Sequence, residues 1–219
     1  MSVNLNKQEQ SLVNNNFADI MLNRRSVRMY DKNVKITHQE MLDILRETVT
    51  APSAVNLQPW RFVVVESDEG KNKLKPLIRF NQQQNETSAA MVLFFGDLRP
   101  QEYANKIYDQ AVAEGKMPQE VHDQQLSSII PYYDALTKEE MTNVVKIDTS
   151  IAAMQFMNVA RAHGYDTNPM TGFEADQLAE AFDLDPERFV PVMMISIGKA
   201  EVAGYESVRL DPENITTFA

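Results

Sequence analysis

Cysteine is absent from this 219-residue chain. Its absence excludes disulfides, thiolate metal sites, iron–sulfur clusters and cysteine nucleophiles, and it fits a reducing cytoplasm. Glycine is scarce, at seven residues. No G-x-G-x-x-G, Walker A or G-x-S-x-G motif occurs, so a Rossmann dinucleotide domain is not expected. The three histidines, His38, His122 and His163, lack metal-ligand spacing, and there is no H-E-x-x-H. No metal site is expected. No run approaches 18 apolar residues, so no membrane helix is expected. The N-terminus, MSVNLNKQEQSLVNNN, is polar and lacks the apolar core of a secretory signal. Positive charge is in deficit: the formal net charge of −10 repels nucleic-acid phosphates.

What the chain does have is material for one core. Its hydrophobic fraction of 43% over 219 residues suits one large domain better than two small ones. Residues 1–15 read as a flexible arm and 16–219 as a single domain. Within it, about 100–135 reads as a helical excursion and about 201–219 as an extended tail. Phe17, Ile20 and Met21 recur at helical spacing. RRSVRMYD then reads as extended chain. Thr37 and Glu40 form a capping box before an amphipathic helix that Pro52 ends. WRFVVVE (60–66), AMVLFFG (90–96) and FVPVMMISIG (189–198) read as buried strands. A helix is expected over about 68–80, and two helices with a loop over 100–135. A second capping box, Thr137 with Glu140, opens a long helix to about His163, with Gly164 as its cap. Its second half, IAAMQFMNVA, is apolar on most faces and needs burial in a core or a subunit interface. TNPMTGF (167–173) reads as a loop, followed by a short helix from Glu174.

Three stretches could carry chemistry. In extended chain Arg24, Ser26 and Arg28 face one way. They would present two guanidinium forks and a hydroxyl to a phosphate and a polarised carbonyl. The same residues could equally be a solvated basic stretch behind a helix. The second stretch, APSAVNLQPW (51–60), packs fixed φ angles and small polar donors between a helix and a strand. That suits a preorganised ligand loop or an ordinary connection. The third, NPMTGF (168–173), fixes an irregular backbone whose N–H groups could meet a ligand, or is a simple loop.

RRSVR, APSAVNLQPWRFVVV, NPMTGF and the tail around Arg209 stand in the order and spacing of the FMN-dependent nitroreductase family, which the chain resembles from about Phe17 to its end. The resemblance implies an α+β, three-layer fold. A central, mostly antiparallel sheet is flanked by helices, and the C-terminal tail is exchanged onto the partner subunit. It implies bound FMN at the interface of a cytoplasmic homodimer. Arg24, Arg25 and Ser26 resemble ligands of the phosphate and ribityl region, and Arg28 the cation near flavin N1 and O2. Pro52, Ser53, Ala54 and Asn56 resemble the segment that reaches FMN from the partner. Asn81 matches the family's asparagine at the pyrimidine edge, with Gln84 nearby. Pro169, Thr171 and Gly172 match the loop that approaches flavin N5, and Arg209 the C-terminal phosphate arginine. Three positions depart from the pattern. Gln84 stands where a lysine is common, Thr171 where a glutamate is common, and Ser207 where a second basic residue is common. These departures bear on acceptor preference, flavin potential and phosphate affinity.

The implied chemistry is ping-pong. NADH or NADPH gives hydride to flavin N5 and leaves, and a nitroaromatic, quinone or related small-molecule acceptor then takes two electrons. No side-chain nucleophile or base is needed; Arg28 supplies electrostatic support. Ile130, Tyr132 and Tyr133 could line the acceptor pocket or pack as ordinary helix contacts. Two alternatives stand beside this reading. One is an FMN-binding protein without turnover, a flavin store or sensor. The other is a family relative specialised in dehalogenation or enone reduction.

Overall fold

β3 (Ala90–Asp97) is buried along its whole length, and its alternation explains the layers. Ala90, Val92 and Phe94 point to one side, where they pack with Ile44, Phe156 and Ile195. Met91, Leu93 and Phe95 point to the other, against Leu74, Leu178 and Met194. Successive strand residues face opposite ways, so a strand apolar at every position needs helices on both faces. Each fully buried Leu or Phe contributes about 1.5–3 kcal/mol. The structure is a computed structural model and describes residues 12–219.

Four strands form the main sheet in the order β2-β3-β5-β4, all neighbours antiparallel: β2 (Trp60–Val65), β3, β5 (Phe189–Gly198) and β4 (Asp166–Met170). A small second sheet pairs β1 (Met29–Tyr30) with β6 (Ala200–Val202). One helical layer holds α2 (His38–Thr48) and α7 (Lys138–Ala162). The opposite layer holds α3 (Asp68–Leu74) and α8 (Ala175–Ala181). The three-layer, mostly antiparallel architecture expected from the sequence is present.

Capping residues set the helix starts. Thr37 accepts from the Glu40 amide, and Thr137 with Glu140 forms a reciprocal capping box. Gly164, at φ 79°, follows the end of α7 in the left-handed position that glycine fills without a Cβ clash. The apolar stripe Ala153, Phe156, Met157 and Ala160 of α7 faces the sheet. A second stripe, Ile147, Ile151 and Met154, is exposed and lines an open groove of about 710 Å³ with Lys146, Ser150 and Asn158.

The excursion is helical: α5 (Ala104–Ala113) and α6 (Gln119–Asp134). Together with Met141, Val145 and Leu57 it builds a third cluster. Two buried polar arrangements brace the frame. Asp97, fully buried, receives the Arg188 fork at 2.8 and 3.0 Å and Arg61 at 3.1 Å. Those bonds, with the charge of Asp97 and then Glu102, hold the Arg188 guanidinium above its ordinary range. The Tyr30 hydroxyl meets Ser196 Oγ at 2.7 Å.

Three expectations change. TNPMTGF is not all loop: residues 166–170 form β4. Pro169 is compatible with this because β4 is an edge strand and edge strands tolerate a missing donor. The helix expected over 68–80 stops at Leu74, passes through a single tight turn at Lys75–Leu77, and gives way to a separate helix α4 (Gln82–Thr87). Pro76 has no N–H to continue the ladder. Of the expected arm, residues 1–11 lie outside the described residues. Val13 and Asn14 both donate to the Ala162 carbonyl at 2.9 Å and so close the end of α7. α1 (Phe17–Asn23) follows. Among the described residues no helix is long and apolar enough to cross a membrane.

Candidate active site

The edge of β4 organises the first half of the site. After α1 the chain runs extended past it. Ser26 bridges Thr167 in parallel, and the Val27 amide donates to the Thr167 carbonyl at 3.1 Å. Val27 is buried while Ser26 and Arg28 are exposed, the outward set that alternation requires. Arg24 is half-buried, and its Nη1 is buried without a hydrogen-bond partner. Burial first, then the neighbouring cations Arg209, Arg25 and Arg161, push its guanidinium below the ordinary arginine value.

The C-terminal tail returns over this segment. A Cβ on Gly204 would lie 2.6 Å from Arg25 Cβ and 2.9 Å from the Ser26 carbonyl oxygen, so only glycine allows the approach. Arg28 stacks on Tyr205, 5.3 Å from the ring centroid. The tail thereby brings Arg209 to Arg24.

The second half of the site lies beyond the other end of β4. The Arg79 amide donates to the Gly172 carbonyl at 3.0 Å, and Ile78 bridges Phe173. A Cβ on Gly172 would sit 3.8 Å from Asn81 Nδ2 and 3.6 Å from Phe80 Cδ2. Gln84, buried, donates to Asn81 Oδ1 at 3.1 Å. That bond occupies Asn81 Oδ1, while its Nδ2 lies on the Gly172 side. Thr171 is exposed, and Pro169 pairs with Ile195 within β4. At about 3.3 Å per residue, β4 runs about 10 Å from Thr167 to Met170, and the second half lies beyond that end.

The Pro52–Asn56 loop lies elsewhere in the subunit. Its bonds run to α7 and α5 rather than to the β4 edge. The Ala54 amide donates to buried Asp148 at 3.1 Å, and the Tyr108 hydroxyl donates to the Val55 carbonyl at 3.0 Å. Burial pushes the Asp148 carboxyl up, partly opposed by the Ala54 amide. A cavity of about 680 Å³ opens beside the loop, lined by Val55, Tyr108, Met117, Gln124, Ser128 and Ile129 among others. None of its lining residues carries a formal charge.

One chain thus brings together Arg24, Arg25, Ser26, Arg28 and Arg209, and separately Asn81, Gln84, Thr171 and Gly172. It holds Pro52, Ser53, Ala54 and Asn56 apart from both. Of the three residues considered for an acceptor pocket, Tyr133 is buried in the third cluster and Ile130 packs against it. Tyr132 is exposed, its ring edge-on to Tyr133 at 5.5 Å. Sequence reasoning missed four residues. Arg161 reaches Asp19 at 3.4 Å and Asp166 at 3.5 Å, joining α1 to β4 beneath Arg24. Phe80 is 86% exposed beside Gly172. Tyr108 and Asp148 hold the distant loop. Only Phe80 had a visible signal, an apolar ring amid polar residues just before Asn81.

Comparison with known proteins agrees on one family. The family model described as "Nitroreductase family" matches residues 21–199. A Bacillus subtilis protein named "Putative NAD(P)H nitroreductase YdgI" is 49% identical over 204 residues, covering 93% of this chain and 98% of its own. The CLA biosynthesis enone reductase of Lactiplantibacillus plantarum is 40% identical over 210 residues, covering 95% and 97%. A crystal structure from Exiguobacterium sibiricum, of a nitroreductase-type protein in complex with FMN, superposes with a TM-score of 0.92 at 50% identity, covering 94% and 98%.

Proposed function

The chain belongs to the nitroreductase family, and we propose that it is an FMN-dependent oxidoreductase that takes electron pairs from NADH or NADPH and passes them to a small organic acceptor. The observation that carries this reading is Arg24. Its Nη1 is buried without a partner while Arg25, Arg161 and Arg209 crowd it with like charge. Such a cluster costs free energy until an anion fills it. A phosphate satisfies both the orphaned donor and the guanidinium forks. The FMN held by the Exiguobacterium relative supports that anion's identity.

In this reading Arg24, Arg25, Ser26 and Arg209 hold the phosphate and ribityl end. Asn81, its amide set by Gln84, donates to the pyrimidine edge. The backbone at Thr171 and Gly172, following Pro169, meets the ring beside N5. Arg28 provides a fixed cation toward N1 and O2, where preorganised charge is effective because nothing must reorganise during reaction. Bound flavin supplies the hydride chemistry. The chain's own contribution is binding, orientation and exclusion of water.

A homodimer completes the site. Pro52, Ser53, Ala54 and Asn56 reach the cofactor from the second subunit. The exposed stripe Ile147, Ile151 and Met154 supports such pairing, as does a tail whose Val208 and Phe218 are almost wholly exposed. Large apolar groups left bare in one subunit are characteristic of an interface. The charge-free cavity beside Val55 favours uncharged acceptors: nitroaromatics, quinones or, by the likeness to the enone reductase, conjugated ketones.

The test is the absorption spectrum of purified protein, then anaerobic mixing with NADH and NADPH. A yellow protein bleached by either nucleotide and recoloured by an acceptor is the expected result. Colour that persists with both nucleotides indicates a flavin-binding protein without turnover. A colourless protein that takes up no FMN overturns the reading. Profiling matched nitroaromatic, quinone, halogenated and enone acceptors then separates the specialised readings.

A further inference from the structure

Val55 sits at φ 43° and ψ 30°, in the left-handed region that a β-branched residue avoids. Asn56 at 56° and Gln58 at 50° share the region. Asparagine tolerates it because its short polar side chain bonds locally; valine has no such help. Burial does not offset the strain, since Val55 is 44% exposed. Strain of this kind persists only where the surroundings over-determine it.

The surroundings are specific. Ser53 accepts from the Asn56 amide through its carbonyl at 3.0 Å and from the Gln58 amide through Oγ at 3.0 Å. Asp148 accepts from the Ala54 amide at 3.1 Å. Leu57 is buried in the third cluster. These contacts fix the two flanks of the loop. At Val55 itself, the hydrogen bond found among the described residues comes from the Tyr108 hydroxyl, 3.0 Å from the carbonyl. Tyr108 is 4% exposed and packed beside Leu57, so its donor does not wander. Burial also raises its hydroxyl above the ordinary tyrosine value, which keeps the proton on the donor.

We propose that Tyr108 is a positioning residue: its hydroxyl holds Val55 in the left-handed backbone, sets the shape of the Pro52–Asn56 loop, and so ties the helical excursion to the cofactor site of the second subunit. This rests on the reading that the loop contacts FMN. The strain is the key to the test. Glycine takes φ 43° without steric cost, so a loop carrying Val55→Gly no longer depends on Tyr108. A tyrosine that served only to pack the core would not be made dispensable by a change at Val55.

The experiment dilutes FMN-loaded protein and reads released flavin by fluorescence. Tyr108→Phe keeps the ring and removes the donor. It is expected to weaken FMN retention about tenfold, the upper range for one lost hydrogen bond. Val55→Gly alone sets its own reference level for the loop, and Val55→Gly with Tyr108→Phe is expected to match that single variant rather than fall a further tenfold. Val55→Asn with Tyr108→Phe is a second rescue arm, since asparagine accepts the same backbone. Ser53→Ala and Asn56→Ala run alongside. If these release FMN faster while Tyr108→Phe behaves like the parent, or if Tyr108→Phe costs as much with either change at Val55 as without it, the clamp is overturned alone. If Ser53→Ala and Asn56→Ala leave retention unchanged, the loop does not serve FMN and the proposal falls with that reading.

Discussion

Arg24 and Arg209, 185 positions apart in the sequence, are electrostatic neighbours: after burial, the Arg209 cation is the next cause that holds the Arg24 guanidinium below its ordinary value. The tail reaches that neighbourhood by passing Gly204 over Arg25 and Ser26 with no room for a Cβ. The approach is therefore a property of one glycine as much as of one arginine.

Gly204→Ala is expected to lift the tail off Arg25 and carry Arg209 away from Arg24. FMN retention should fall about as far as in Arg209→Ala, roughly ten- to a hundredfold for one charge-assisted bond of about 1.5–3 kcal/mol. Thermal unfolding of the flavin-free protein should change little in either variant, because the tail buries almost nothing in its own subunit. Combining the two changes should add nothing further. Additive losses would show that Gly204 acts by another route.

Much of this arrangement is legible in the sequence, and the exceptions have physical causes. The three apolar strands, the Thr37 cap and the Thr137–Glu140 capping box are local patterns and appear where local physics puts them, whereas the box expected at Thr37 stays half-formed because the Glu40 carboxylate accepts from the Tyr165 hydroxyl at 2.9 Å instead. Arg24, Ser26 and Arg28 follow from strand alternation. β4 is missed because Pro169 and Gly172 look like turn residues. The tolerance of Pro169 comes from the edge position of β4, which is a tertiary fact, and Gly172 lies just past the strand's end. α4 is missed because QQQNET is polar, although Gln84, Asn85 and Thr87 are buried through contacts the helical pattern does not encode. Tyr108 gives no sign at all, because its partner Val55 is 53 residues away and the strain it holds belongs to a backbone angle. The loop at Ser53 is recognisable as a ligand segment, yet its place apart from Arg24 appears only in three dimensions.

Asp97 is fully buried between two guanidiniums. Asp97→Asn removes the charge, keeps one acceptor oxygen and turns an amide donor toward the Arg188 and Arg61 guanidiniums. Breaking a buried pair on one side costs about 3–5 kcal/mol. A lower urea midpoint, displaced by that energy divided by an unchanged slope, is the expected result. Because the site edge at β4 lies two strands away from β3, FMN retention below the unfolding transition should be preserved. A variant as stable as the parent would mean that water or another donor set compensates.

His122 joins the two helices of the excursion. Its ring nitrogens lie 2.8 Å from Asp123 and 2.9 Å from Asp109. The Asp123 bond, against some desolvation and with Asp109 assisting, raises its pKa above the ordinary value of 6.5. A raised folded-state value means that the folded protein binds the proton more tightly than the unfolded one. The stabilisation is therefore complete below about pH 6.5 and is lost as pH rises through the elevated value. Hydrogen exchange in 104–134 should become faster on moving from slightly acidic to alkaline buffer, beyond the chemical effect of hydroxide. His122→Gln should abolish that extra slope. Equal slopes in parent and variant would remove the role given to this histidine.

Ile147, Ile151 and Met154 form an apolar stripe that one subunit leaves open, while the opposite stripe of α7 is spent on the sheet. The two faces make different demands on a charge. On the sheet face a carboxylate would unfold the protein. On the open face it costs nothing in a monomer but must be desolvated in a dimer, at several kcal/mol. Ile151→Asp is therefore expected to yield a folded chain with near-parental circular dichroism whose dimer dissociates at least a hundredfold more readily, about 3 kcal/mol or more. Light scattering and sedimentation would read the mass. Because Ser53 and Asn56 are placed on the second subunit, the monomer should also lose FMN, although Arg24, Arg28 and Arg209 are untouched. A monomeric variant that keeps its flavin would assign the whole site to one chain and withdraw the second subunit's loop from it. A variant that stays dimeric would move the interface off this face of α7.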